Sequence, residues 1–159
     1  MRKRLFILAL FLFPLTRIWS QSIPYISPGV TLSYNFNGSL VFSPKISVGL
    51  VENGNFINLT LGKSWSTDPK TYPHSFVEFQ YGTLSFNLKF RNQKLFLGGG
   101  VGFSLPSKED KPASFRLTLF GGFFYFLNMS FLFMEQTQYE LGGQVVLPIP
   151  IIRIGNLNG

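Results

Sequence analysis

The stretch "LFLGGGVGFSL", Leu95 to Leu105, allows two interpretations: a glycine-rich phosphate loop or a β-strand. A phosphate loop requires a helix start after the glycines, and the P-loop form also requires a Lys-Ser or Lys-Thr pair. Neither follows here, and Pro106 stops a helix shortly afterwards. One parity holds the apolar residues Leu95, Leu97, Val101, Phe103 and Leu105, and the other holds Gly98, Gly100, Gly102 and Ser104. This period of two predicts a strand with one apolar face and one nearly bare face.

The same period of two covers most of the chain. Apolar residues on one face alternate with mainly Ser, Thr, Asn, Lys or Gly on the other through residues 30–36, 40–50 and 57–61. The dipeptides between these segments, Asn37-Gly38 and Asn53-Gly54, are typical of tight hairpin turns. Continued to the end of the chain, the alternation predicts an all-β fold of about eight antiparallel strands, with ten possible.

Loop lengths indicate how these strands are arranged. The parity of the apolar residues flips at Gly82-Thr83, which we interpret as a β-bulge inside one long strand. With a bulge there, the long connections Ser66–Ser75 and Pro106–Pro112 lie on one rim, and the short turns, among them Leu127-Asn128, lie on the other. Long loops on one rim and short turns on the other are typical of outer-membrane barrels.

Both ends of the predicted barrel contain proline. We interpret Ile23–Pro28 as a lead-in before the first strand. Pro148 and Pro150 remove ladder donors, so the last strand either ends near Leu147 or is followed by short ninth and tenth elements.

The first residues resemble an export signal. Arg2, Lys3 and Arg4 precede an apolar run from Leu5 to Leu15, and Ser20-Gln21-Ser22 offers a small-x-small cleavage site. This predicts a signal peptide over residues 1–22 and one domain over residues 23–159, with a retained N-terminal anchor as the alternative. The apolar run is too short to cross a bilayer as a helix. The chain has no cysteine, so we expect no disulfide and no thiolate chemistry.

The composition argues against a soluble exterior. Charged residues make up 13% of the chain and aromatic residues 17%, with 19 phenylalanines. A soluble domain carries about twice that share of charge to cover its surface. Without the four basic residues of the predicted signal peptide, ten Lys and Arg face seven Asp and Glu, a net charge of +3. Because these basic residues are scattered singly, we expect no nucleic-acid partner.

The chemistry of the polar face predicts which way the alternation points. Ser, Thr, Asn, Gln and Gly suit a narrow polar interior, and the apolar face is about the 9 to 11 residues that a tilted strand needs to cross hydrocarbon. We therefore predict an up-and-down antiparallel transmembrane β-barrel. The predicted lumen-facing polar and charged residues are Lys45, Asn58, Glu78, Asn87, Lys89, Arg116, Glu140 and Gln144. The predicted membrane-interface anchors are Lys63, Trp65, Tyr81 and Tyr139.

Sites of chemistry are not evident in the sequence. His74 is the only histidine and is predicted to lie in a proline-flanked loop, so we expect no catalytic residues, no metal site, no cofactor and no enzyme activity. Eight strands leave an interior just wide enough for side chains, so we expect the lumen charges to form a plugged core of ion pairs. A narrow solute path lined by the same residues is the alternative.

By this pattern the chain resembles the small eight-stranded outer-membrane β-barrel proteins, the class of the OmpA transmembrane domain and OmpX. The resemblance covers residues 29 to about 154 and implies an outer-membrane location but no particular activity. We expect an integral barrel with a closed polar interior and a structural or loop-mediated role. Its expected partners are outer-membrane lipid and an envelope protein contacted through loops 66–75 and 106–112. The alternatives are a porin-like narrow channel and a secreted lipocalin-like barrel that binds lipid.

Overall fold

A computed structural model describes residues 22–68, 73–88, 93–108, 111–122, 126–133 and 137–151, with the backbone alone for 84–88 and 93–95. The predicted signal peptide lies outside these ranges, apart from Ser22. The regular elements are strands: β1 (Ile23–Asn35), β2 (Ser39–Glu52), β3 (Asn55–Ser66), β4 (His74–Leu88), β5 (Gln93–Pro106), β6 (Ser114–Gly122), β7 (Phe126–Phe133), β8 (Gln138–Val146) and β9 (Ile149–Pro150). Among the described residues, no helix has the length and apolar character to cross a membrane.

The strands close into a barrel. Each strand from β1 to β8 pairs antiparallel with the next, and β1 pairs with both β2 and β8. The two-residue strand β9 pairs with the beginning of β1 and so continues the line of β8 along the same neighbour. The predicted all-β antiparallel barrel of eight strands is confirmed.

The stagger of the barrel follows from the pairing. One row of directly paired residues runs through Tyr25, Gly49, Asn58, Gln80, Gly100, Thr118, Ser130 and Glu140 and returns to β1 at Asn35. The return is ten residues along β1, from 25 to 35, so the shear of the barrel is 10. With strands about 4.8 Å apart, this shear tilts them by about 40° from the barrel axis. Every residue of the row is buried and therefore faces the lumen.

Burial along the strands is the reverse of that in a soluble protein. Among the described residues, 21 polar or charged residues are buried but only six apolar ones, while 28 large apolar residues are exposed. Because successive side chains of a strand point to opposite faces, the alternation places the polar set inside and the apolar set outside.

The bulge and the lumen-facing glycines are confirmed. β4 is one strand of 15 residues, and its register against β5 shifts between Thr83 and Phe86. The glycines of β5 face inward: a Cβ on Gly100 would lie 2.3 Å from Glu78 Oε1, and one on Gly102 would lie 2.0 Å from the carbonyl oxygen of Val77.

Two of the predicted boundaries are wrong. Ile23–Pro28 belongs to β1 and is not a lead-in, because it pairs with β2 as far as Val51. Leu127 and Asn128 lie inside β7 and form no turn.

The strands also shorten the two long connections, to residues 67–73 and 107–113. Both lie at the rim that we call the long-turn end. The opposite rim, which holds the β2–β3, β4–β5 and β6–β7 connections, is the short-turn end.

Proline is tolerated in β1 because of where its nitrogen points. The carbonyl of Pro28 accepts a bond from Leu147 N at 2.9 Å, and that of Pro24 accepts one from Ile151 N at 2.8 Å. Since the N–H and C=O of an antiparallel residue point to the same neighbour, the missing N–H groups also face the line of β8 and β9. The prolines therefore remove no donor from the pairing of β1 with β2, and the line that they face is itself interrupted between Val146 and Ile149.

We predict that Gly102→Ala weakens the barrel, because the new Cβ would meet backbone atoms of β4 that cannot rotate away. The expected loss is about 1–3 kcal/mol of unfolding free energy, the usual cost of overpacking. The measurement is urea unfolding of the barrel refolded in phospholipid vesicles. Gly143→Ala is the matched control, since a Cβ there meets nothing within 4 Å. Equal stability of the two variants would contradict a packing role for the inward glycine.

The barrel lumen as candidate functional site

An ion pair occupies the middle of the lumen. Arg116 on β6 donates from Nε to Glu78 Oε2 on β4 at 3.2 Å, and the two side chains are 4% and 1% exposed. β5 lies between their strands and presents Gly100 and Gly102 at this level. Because these two glycines have no side chains, the long side chains of Glu78 and Arg116 can meet across β5.

Hydrogen bonds surround both charges. Glu78 also accepts from Thr118 Oγ1 at 2.9 Å and from Gln80 Nε2 at 2.8 Å. Arg116 donates from Nη2 to Ser130 Oγ at 3.0 Å. Burying a charge is costly unless it is paired and hydrogen-bonded, and both conditions are met here.

An aromatic ring supports the remaining part of the guanidinium. Arg116 Nη1 is buried and has no hydrogen-bond partner among the described residues. The guanidinium carbon lies 4.5 Å from the ring centroid of Phe76, so a cation–π interaction covers this side of the group.

The network extends from the ion pair around the wall. On one side, Gln80 accepts from Asn58 Nδ2 at 3.4 Å, and Asn58 accepts from the hydroxyl of Tyr25. On the other side, Ser130 donates to Asn128 Oδ1 at 3.0 Å, which continues the network along β7.

The second branch ends at a lysine. Asn128 Nδ2 donates to Gln144 Oε1 at 3.0 Å, and Lys45 Nζ donates to the same oxygen at 2.6 Å. Through these contacts the network joins side chains of every barrel strand except β5. Polar side chains therefore hold the strands together from inside, in addition to the backbone ladder.

The structure places most of the predicted lumen residues on the inner wall. Glu140 is 2% exposed and accepts from Ser33 Oγ at 3.4 Å, on a separate branch between β8 and β1. Asn87 lies in β4, and its side chain is outside the described set, as is the whole of Lys89. His74 is the first residue of β4 and is 4% exposed, so its predicted loop position is wrong.

The lumen contains a cavity toward the short-turn end. Its volume is about 510 Å³. Four phenylalanine rings form much of its wall: Phe96 lies 4.8 Å from Phe56, 4.6 Å from Phe126 and 5.8 Å from Phe120, between ring centroids. Lys45, Asn58, Gln80 and Gln144 line its polar part.

Inward-facing aromatic residues are the feature that sequence reasoning missed. Phe56, Phe76 and Phe120 have the parity of the polar face, and each lies directly opposite a glycine, respectively Gly82, Gly62 and Gly98. Each ring covers the bare backbone of its glycine, with the nearest ring atoms 2.2–2.5 Å from where a Cβ would be. Such glycine–aromatic pairs fill space on a curved sheet, but the pairing is visible only once the register is known.

The predicted interface anchors lie on the outer face. Lys63 Nζ is 5.4 Å from the ring centroid of Trp65, near the long-turn end of β3. Tyr81 and Tyr139 are exposed. Near the long-turn end the outer aromatic rings form pairs: Phe42 with Trp65, Phe103 and Phe133 with Phe115, and Phe131 with Tyr139. Their role as anchors stays a prediction.

Among the described residues, no three His, Cys, Asp or Glu side chains are grouped so that they could hold a metal ion. No protein-family model matches the chain, and no curated protein matches it. One solved structure, described as "De novo design of transmembrane beta-barrels", is similar over 77% of this chain and 95% of its own, with 13% identity and a TM-score of 0.46.

We predict that Arg116→Met costs about 3–5 kcal/mol of unfolding free energy, because it leaves the Glu78 carboxylate buried without its cation. The double variant Glu78→Gln with Arg116→Met should recover part of this loss. Urea unfolding in phospholipid vesicles measures both. The matched control is Lys63→Met, the same loss of charge on the outer face, with an expected effect below about 1 kcal/mol. If Arg116→Met is no worse than Lys63→Met, the ion pair has no structural role.

Proposed function

We propose that this chain is an integral outer-membrane β-barrel protein with a closed polar interior. Its role is structural or is carried by the loops of the long-turn end. The observation that carries the proposal is the reversed burial, with polar side chains in the lumen and apolar side chains on the outer face. Lipid solvates such an outer face, and the closed barrel leaves no strand edge unpaired in hydrocarbon.

The size of the outer face supports a membrane position. On β2 the outward residues run from Leu40 to Leu50, a rise of about 25 Å along the axis for strands tilted by about 40°. This matches the apolar band of about 25 Å on known membrane barrels. Among the described strand side chains, the outward charges are Glu52 and Lys63, both close to a rim.

The side chains in the lumen support a closed barrel rather than a channel. Glu78, Arg116, Thr118 and Ser130 meet at one level and are at most 4% exposed. Their mutual hydrogen bonds and their burial support a lumen that is filled by side chains at this level. A secreted lipocalin-like barrel is disfavoured by the outer face, because a soluble barrel needs its apolar residues inside.

We expect the full chain, expressed with its own N-terminus in a Gram-negative host, to fractionate with the outer membrane. We also expect it to migrate faster on a gel before boiling than after, because a closed barrel resists SDS until it is heated. The measurement is density-gradient separation of the two membranes followed by gels with and without boiling. Recovery of folded protein in the soluble periplasm or the medium would contradict the proposal.

A second expectation concerns depth on the outer face. Val101→Arg places a charge midway along the outward residues of β5 and should cost about 2–4 kcal/mol in phospholipid vesicles. Leu105→Arg is the matched control near the long-turn rim and should cost about 0–1 kcal/mol. Urea unfolding measures both variants. Equal effects would show that the outer face does not lie in hydrocarbon.

A further inference from the structure

The cavity at the short-turn end has the size of a site for a small ligand. Its volume of about 510 Å³ lies within the range of small-molecule pockets. Phe56, Phe96, Phe120 and Phe126 line it toward the rim, together with other apolar residues. Pro148 at the rim is exposed, so the cavity extends to the end of the barrel.

The inner part of the cavity has a positive charge. Lys45 lines it and is part-buried, with Nζ donating to the amide oxygen of Gln144 at 2.6 Å. Among the described residues, no carboxylate lies within 4.0 Å of this ammonium, and Glu78 is paired with Arg116. An ammonium has three N–H donors, so Lys45 retains donors for an added acceptor.

We propose that this cavity binds a medium-chain fatty-acid carboxylate. The carboxylate accepts from Lys45 at the inner end, and the alkyl chain lies against the cluster of phenylalanine rings and points toward the short-turn rim. One cation at the inner end matches one anion, and an aromatic wall matches an alkyl chain. A phospholipid does not fit, because its headgroup and two chains exceed a cavity of about 510 Å³ whose charged residue lies at the inner end.

Photolabelling locates the ligand. The probe is a ten-carbon fatty acid with a diazirine on its chain, added to the barrel refolded in phospholipid nanodiscs, with labelled residues mapped by mass spectrometry. We expect saturable labelling of inward residues such as Phe96, Phe120 and Phe126. Labelling confined to outward neighbours such as Leu97 and Leu119 would mean partition into the bilayer and would overturn the proposal.

Competition identifies the chemistry. Decanoate should displace the probe at a concentration at least ten-fold below that of decanol or decylamine, because only the carboxylate pairs with Lys45. Equal competition by decanol would show a purely apolar pocket and overturn the proposal. Tighter competition by a hydrophobic peptide with a free C-terminus would also overturn it, because the occupant would then be a peptide.

Variants test the lysine. Lys45→Met should reduce decanoate competition at least ten-fold, Lys45→Arg should retain it, and Lys63→Met is the matched control with the same charge removed from the outer face. Unchanged competition in Lys45→Met would overturn the proposal.

The gel shift on boiling reports folding of each variant. If Lys45→Met does not fold, the comparison of decanoate with decanol on the unaltered chain decides. The site lies inside the barrel, so these results do not depend on the outer-membrane proposal.

Discussion

The structure depends on one requirement: Glu78 and Arg116 must meet inside a barrel of eight strands. Such a barrel has an interior only just wide enough for side chains, and here two long charged ones lie at the same level. They fit because β5 contributes Gly100 and Gly102 at that point. The glycine run thus provides the space that the ion pair occupies. The hydrogen bonds that spread from the pair then fix polar residues on the other strands.

The lumen has two parts with different chemistry. Around the ion pair it is polar and filled, and toward the short-turn end it is aromatic and holds a cavity. Lys45 lies where the two parts meet, bonded to the polar network through Gln144 yet exposed to the cavity. This position makes it the one described luminal cation whose charge is not matched by a carboxylate within 4.0 Å. The proposed closed barrel and the proposed ligand site are therefore compatible, because they occupy different parts of the lumen.

The sequence alone predicted the strands, their number, the bulge in β4 and the inward glycines, because each depends on a period of two and on local turn residues. It did not predict the start of β1 at Ile23 or the end of the β6–β7 turn, because proline at residue 28 and asparagine at residue 128 are typical of loops. It also missed the inward phenylalanines. Their reason lies in a glycine on the neighbouring strand, and only the pairing register connects the two.

The prolines of β1 have a consequence for how the barrel moves. Pro24 and Pro28 both withhold a donor from the line of β8 and β9, and that line is itself broken at Leu147 and Pro148. The closing seam is therefore weakly bonded over its short-turn half, whereas its long-turn half keeps a regular ladder from Gly29 to Asn35. Local opening follows the places with the fewest hydrogen bonds. Local opening of the barrel is therefore expected at the rim where the cavity lies, whereas the level of the ion pair keeps its hydrogen bonds.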